Sequence, residues 1–182
     1  MGDMVQYVGS LFSGGLIFLM LIGFFSSVGQ TAVTQTFNTV VQENSSSATD
    51  VIEREFRLMG YGSTDSGRVL RAESSAVAFT CDIDDDGLAD TLMYELGPPL
   101  GLGGNPHSRV VYRTVNGNAP SPVASGVTKF ALRFYDSAGT PTVTGKDVRL
   151  LTVSMLMESE TRMDDRYAGV YWERTIKPKN LR

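Results

Sequence analysis

The segment Asp82-Ile83-Asp84-Asp85-Asp86-Gly87-Leu88-Ala89-Asp90 is the densest concentration of chemistry in the chain. Its carboxylates fall at loop positions 1, 3, 5 and 9, with glycine at position 6 and the Leu88 carbonyl at position 7, the ligand order of a calcium-binding loop. Hard oxygen donors on alternate residues of a looped segment converge on one cation, and the glycine permits the turn. The expected ligand set is therefore Asp82, Asp84, Asp86, the Leu88 carbonyl and Asp90, with Ca²⁺ as the cofactor. Position 12 is Met93 instead of a bidentate glutamate, which predicts weak binding. Like charges packed this closely repel unless they are neutralised or solvated. A bare, solvated acidic hairpin turn is the alternative reading, and it stays open on the residues alone.

Little else invites catalysis. Cys81 is the only cysteine and His107 the only histidine, so no disulfide framework and no thiolate zinc site is available. Cys81 adjoins the acidic run, which disfavours its thiolate, and it reads as a small buried strand residue. His107 reads as a loop residue, and Ser45-Ser46-Ser47 as polar helix surface. No nucleophile–base pair, phosphate loop or dinucleotide fingerprint can be assembled, and the expectation is a protein that is not an enzyme.

The elements that must position the acidic run follow from charge and periodicity. The formal net charge is −4 over 182 residues. Residues 1–53 carry Asp3, Glu43, Asp50 and Glu53 and no lysine or arginine, whereas in the rest of the chain acids and bases balance. Neither part is net basic, which excludes a nucleic-acid partner. Within the uncharged stretch Met4–Gln42, residues Leu11–Val28 form a nearly continuous apolar run. Its core residues are Leu11, Phe12, Leu16, Ile17, Phe18, Leu19, Leu21, Ile22, Phe24 and Phe25, expected to lie in a membrane or in a filament core. A cleaved signal peptide is the competing reading, but no basic residue precedes the run. Apolar residues then recur three or four apart through Val33, Phe37, Val40, Ala48, Ile52 and Phe56, the stripe of an amphipathic helix that stops at Gly60-Tyr61-Gly62.

Beyond residue 62 short β-type segments alternate with Gly, Pro, Asn and Asp clusters. Strands are expected near Ala76–Cys81, Thr91–Leu96, Arg109–Val115, Thr128–Tyr135, Val148–Met157 and Gly169–Ile176. Glu158–Tyr167 reads as a solvated connection. The expected fold class is α+β, a long N-terminal helix packed through its amphipathic half on an antiparallel β-sheet head. The expected division is residues 1–30 as the membrane or filament-core helix, 31–62 as the amphipathic stalk and 63–182 as the β-rich head.

The passage Val51-Ile-Glu-Arg-Glu-Phe-Arg-Leu-Met-Gly-Tyr-Gly62 at the end of an apolar-then-amphipathic helix resembles type IV minor pilins and pseudopilins of the PilW type. The acidic hairpin Val77–Tyr94, then Val111-Tyr-Arg113, Val123–Phe130 with Phe134-Tyr-Asp-Ser-Ala-Gly139, and the closing Lys177-Pro-Lys-Asn-Leu181 follow in that family's order, so the resemblance covers nearly the whole chain. It implies a pilin-like fold and a structural subunit of a type IV pilus-like or pseudopilus-like filament. The helix would sit in the inner membrane before assembly. It would then pack against other copies or related pilin subunits in a cell-surface filament or periplasmic pseudopilus. The family places a glutamate at the fifth mature position; here Val5 and Gln6 occupy that region, and Asp3 is the N-terminal acid candidate. A membrane-anchored, extracytoplasmic binding or adhesin module that does not polymerise is the second reading.

Overall fold

The computed structural model describes residues 2–63, 68–101, 104–163 and 165–181, and the side chains of 2–6, 8, 26–44 and 163 lie outside the described set. The elements are α1 (Gly2–Arg57), β1 (Val69–Glu73), β2 (Ala76–Cys81), β3 (Asp90–Leu96), β4 (Arg109–Val115), β5 (Ser121–Tyr135), a short 3₁₀ turn (Gly145–Asp147), β6 (Leu150–Met163) and β7 (Arg166–Ile176). The chain divides into two units, residues 1–39 and residues 40–182.

In the second unit all seven strands form one antiparallel sheet in the order β1-β2-β3-β4-β5-β6-β7, a meander that curls into a half-barrel. Strict alternation explains the concave core. On β5, Phe130, Leu132 and Phe134 are buried while Lys129 and Arg133 are exposed, because successive side chains point to opposite faces. Val77 and Phe79 of β2, Tyr94 of β3, Val111 of β4, Leu151, Val153 and Met155 of β6 and Ile176 of β7 complete the same face. The end of α1 lies in this hollow through Ala48, Ile52 and Phe56, followed by Met59. The Phe56 ring meets Phe79 and Tyr94 edge-on, with centroids 5.8 and 5.2 Å away, a geometry favoured by the ring quadrupoles.

The expected α+β, pilin-like arrangement, a long N-terminal helix packed on a sheet head, is corrected by this architecture. The fold is mostly β. The body is the seven-stranded curled sheet, and among the described residues α1 gives the core cluster Ala48, Ile52 and Phe56. The physical reason is the curl: a seven-stranded sheet that includes β5 and β6, 15 and 14 residues long, twists into a half-barrel. The expected stripe residues Val33, Phe37 and Val40 fall outside the described side chains.

All six expected strands are present. β1 was not anticipated, β5 begins earlier, at Ser121, and Glu158–Tyr167 belongs mostly to β6 and β7 instead of a free connection. Ser45 departs from its expected place on a polar surface: it is 5% exposed, and its carbonyl accepts the Thr49 hydroxyl at 2.9 Å. Among the described residues no helix is long and apolar enough to cross a membrane.

Candidate functional site

The acidic run forms the tip between β2 and β3, and its anchor is Asp82. This residue is 6% exposed, and its two carboxylate oxygens accept the backbone N–H groups of Asp86 (3.2 Å) and Gly87 (3.0 Å). Its own N–H donates to the Tyr61 carbonyl at 2.9 Å. Gly62 makes that approach possible: its φ is +67°, and a Cβ there would sit 2.5 Å from the Asp82 Cβ. Asp85 and Gly87, at φ 58° and 85°, reverse the chain, and Asp86 accepts the Leu88 N–H at 2.8 Å. The Asp85 carboxylate beside the Tyr61 hydroxyl raises that phenol above its ordinary range.

Of the five expected ligands, three come together. One carboxylate oxygen from each of Asp82, Asp84 and Asp86 lies within 4.8 Å of the others. Asp90 is turned to other work, accepting Ile83 N–H at 3.2 Å through one oxygen and the Asn116 side-chain amide at 2.6 Å through the other. The Leu88 side chain is 71% exposed, and nothing in the hydrogen bonding draws its carbonyl toward the trio. Three hard oxygen donors suit a cation such as Ca²⁺ or Mg²⁺, but they are fewer than the 6–8 that calcium takes, so water would supply the remainder.

A second polar constellation lies beneath the sheet and joins distant parts of the sequence. Glu55, 3% exposed at the end of α1, accepts the Tyr94 hydroxyl at 2.5 Å and the Arg113 Nε–H at 2.7 Å. Arg113 comes from β4 and Tyr94 from the neighbouring β3, at cross-strand partner positions. Burial disfavours the Arg113 charge, but the hydrogen bond and charge of Glu55 outweigh it and raise its basicity. Tyr94 is held protonated far above the usual phenol range, first by burial and then by its hydrogen bond to Glu55. Cys81 shares this environment: burial, then the charges of Glu55 and Asp90, push its thiol up to about 12. That fits its expected structural place, since a thiol so hard to ionise is a poor nucleophile.

The remaining candidates stay apart from both clusters. His107 lies in a turn, where its N–H donates to Asn105 Oδ1 at 3.0 Å. The side chain of Asp3 lies outside the described residues. The ten apolar residues expected in a membrane or filament core are described and are all exposed within the chain, from 45% at Leu16 to 76% at Leu11. An open groove of about 330 Å³ runs beside the end of β1, bounded by Ser74, Leu132, Phe134, Pro141 and Val143. Sequence reasoning missed the Glu55 constellation; the available signal was a carboxylate standing on the otherwise apolar Ile52–Phe56–Met59 face of the helix. No protein-family model matches the chain, and no curated protein matches it significantly.

Proposed function

We propose that this chain is a structural subunit of a pilus-like or pseudopilus-like filament, polymerising through its apolar N-terminal segment with the β head outside. The observation that supports this most strongly is the exposure of Leu11, Phe12, Ile17, Phe18, Leu19, Phe24 and Phe25 within a single chain. A contiguous apolar surface of that kind is too unfavourable in water to stay bare and requires lipid or other such helices. Gly14, Gly15 and Gly23 have open space where a Cβ would stand, and small residues of this sort let apolar helices approach closely. The inner membrane holds the segment before assembly on this reading. Filaments sheared from cell envelopes and examined by immunogold electron microscopy should carry the protein. Dispersed monomers in membranes, with no filament or secretion apparatus labelled, would end the proposal.

The second reading, an anchored binding module that does not polymerise, draws support from the apolar groove between Ser74, Leu132 and Val143. It predicts label spread over the membrane in those same micrographs.

Calcium at the β2–β3 tip has a supporting role in the first reading, holding Asp82, Asp84 and Asp86 together and ordering the hairpin. Its expected affinity is on the order of 10⁻⁴–10⁻³ M, as for extracellular sites with incomplete ligand sets. Binding to the folded form alone raises the melting temperature, by mass action. Melts in excess calcium and in EDTA, for the native chain and for Asp84→Asn with Asp86→Asn, should show a calcium-dependent rise only in the native chain. No calcium effect, with the double variant more stable than the native chain, identifies a solvated acidic turn.

A further inference from the structure

The connection from β4 to β5, residues 116–120, opens with a tight turn centred on Asn116-Gly117, with φ 52° and 72°, both left-handed, and closed by the Asn118 N–H donating to the Val115 carbonyl at 2.9 Å. Two consecutive left-handed residues are the turn backbone that asparagine and glycine favour. It is also the pair most open to spontaneous rearrangement, because glycine has no Cβ to shield its amide nitrogen from the preceding side chain. Here Asn116 is exposed, and nothing lies within 4 Å of the place where a Gly117 Cβ would stand. Yet the Asn116 side chain is not free. Its amide donates to Asp90 Oδ1 at 2.6 Å, its carbonyl oxygen accepts Thr91 N–H at 2.8 Å, and its own N–H donates to the Thr91 carbonyl at 2.8 Å. Asp90 in turn accepts Ile83 N–H. One side chain thus ties the β4–β5 turn to both ends of the acidic tip.

We propose that Asn116 is a site of spontaneous covalent modification, restrained by this latch, and that its conversion to aspartate or isoaspartate releases the acidic tip. The Gly117 amide nitrogen gives up its proton to solvent base and attacks Asn116 Cγ. The C–N bond to the side-chain nitrogen breaks, and ammonia leaves. Water then opens the resulting succinimide at either carbonyl, giving aspartate or isoaspartate, so that asparagine and one water yield the acid and one ammonia. The attack requires Cγ to turn toward Gly117, which breaks the bonds to Asp90 and Thr91. Folding therefore slows the reaction. The product cannot donate to Asp90, and it sets a new carboxylate against the old one, a repulsion that opens the latch. Isoaspartate additionally lengthens the main chain by one methylene in a turn whose two residues are both left-handed.

The full-length chain in detergent micelles, incubated at mildly alkaline pH, is compared with the Asp90→Ala variant and with a free peptide spanning Thr114–Pro120. Peptide mass spectrometry and an isoaspartate methyl-transfer assay follow Asn116. The expected rate in the native chain is at least about tenfold below that of the peptide, since two hydrogen bonds must open, one of them to a charged group. Asp90→Ala should recover a severalfold faster reaction. In Asn116→Asp, amide exchange at Ile83 and Thr91 should accelerate about tenfold, the loss of one hydrogen bond's protection. Asn116→Gly keeps the turn but removes the latch, and gives the same acceleration at Thr91 even if the aspartate variant folds poorly. Equal rates in protein and peptide, or unchanged exchange at Thr91 in Asn116→Gly, would overturn the proposal.

Discussion

Phe12 stands 75% exposed near the start of α1, whereas Glu55, a charged residue near its end, is 3% exposed inside the head. The two regions invert the usual placement of apolar and charged groups, and they resolve it by opposite routes. Glu55 is answered within its own chain by Tyr94 and Arg113, so its burial is compensated at once. The apolar segment from Leu11 to Phe25 has no such answer among the described residues. One region is completed by folding, and the other is, on the proposed function, the part left for assembly.

The largest effect that can test this contrast is removal of the end of α1 from the head. Ile52, Phe56 and Met59 are each fully buried, and burying such side chains is worth about 1.5–3 kcal/mol apiece. Together this is comparable with the whole stability of a domain. A chain beginning at Ser63 should be unfolded or molten by near-UV circular dichroism, while one beginning at Val40 melts cooperatively. Equal melts of the two would show that the helix end is not part of the core.

Next in size is Glu55→Ala, which strands the Arg113 guanidinium beneath the sheet. Removing one partner of a buried pair costs about 3–5 kcal/mol. The low end applies, because the Arg113 side chain is 22% exposed. Chemical denaturation should report that loss, and adding Arg113→Met to the variant should restore part of it. A Glu55→Ala protein as stable as the native one would contradict the claim that this charge is answered inside the chain.

The same pocket predicts an alkaline limit. Cys81 ionises near 9.0 when free and at about 12 in the fold, and Tyr94 is likewise raised above its ordinary 10.0. Both are neutral when protonated, so the folded state holds protons that the unfolded chain releases. Stability is therefore full below pH 9 and declines as pH rises toward 12. Urea midpoints across that range should fall more gently for Cys81→Ala than for the native chain.

The smallest effect belongs to the helix's outer face. Glu53 accepts from Arg57 and Arg174, at 2.5 and 3.1 Å, and the Arg57 bond foremost holds its carboxyl below the usual range. Both partners are more than half exposed, where such pairs contribute about 0.2–1 kcal/mol. Glu53→Gln should shift the midpoint by no more than that, against the larger loss in Glu55→Ala two residues away.

How much could be read from residues alone follows the range of each interaction. The alternation through Phe130, Leu132 and Phe134 declares a strand because its period is local. β1 was hidden since Val69-Leu-Arg-Ala-Glu73 is short and mixed. The first half of β5 contains Pro122 and Gly126, the latter at φ 74°, which the sheet absorbs beside shifts of register that no local pattern announces. The overall class failed for a related reason: the curl of the sheet is a property of all seven strands together. At the acidic tip Asp82, Asp84 and Asp86 sit close in sequence as well as in space, whereas Asn116, 26 residues away, claims Asp90 through a contact that no local spacing announces. Glu55 meets Tyr94 and Arg113 across 39 and 58 residues, a distance that no local pattern spans.

The central claim is that the apolar segment is covered by other copies of itself or by related helices, and the head's chemistry makes it directly measurable. Cys81 is fully buried with a thiol pushed up to about 12, so a cysteine introduced at Phe18 is the reactive thiol. Phe18→Cys, oxidised in native cell envelopes and run without reductant, should give disulfide-linked dimers that vanish when the envelopes are first dispersed in detergent. A protein that stays monomeric in the envelopes under the same oxidation would contradict the account.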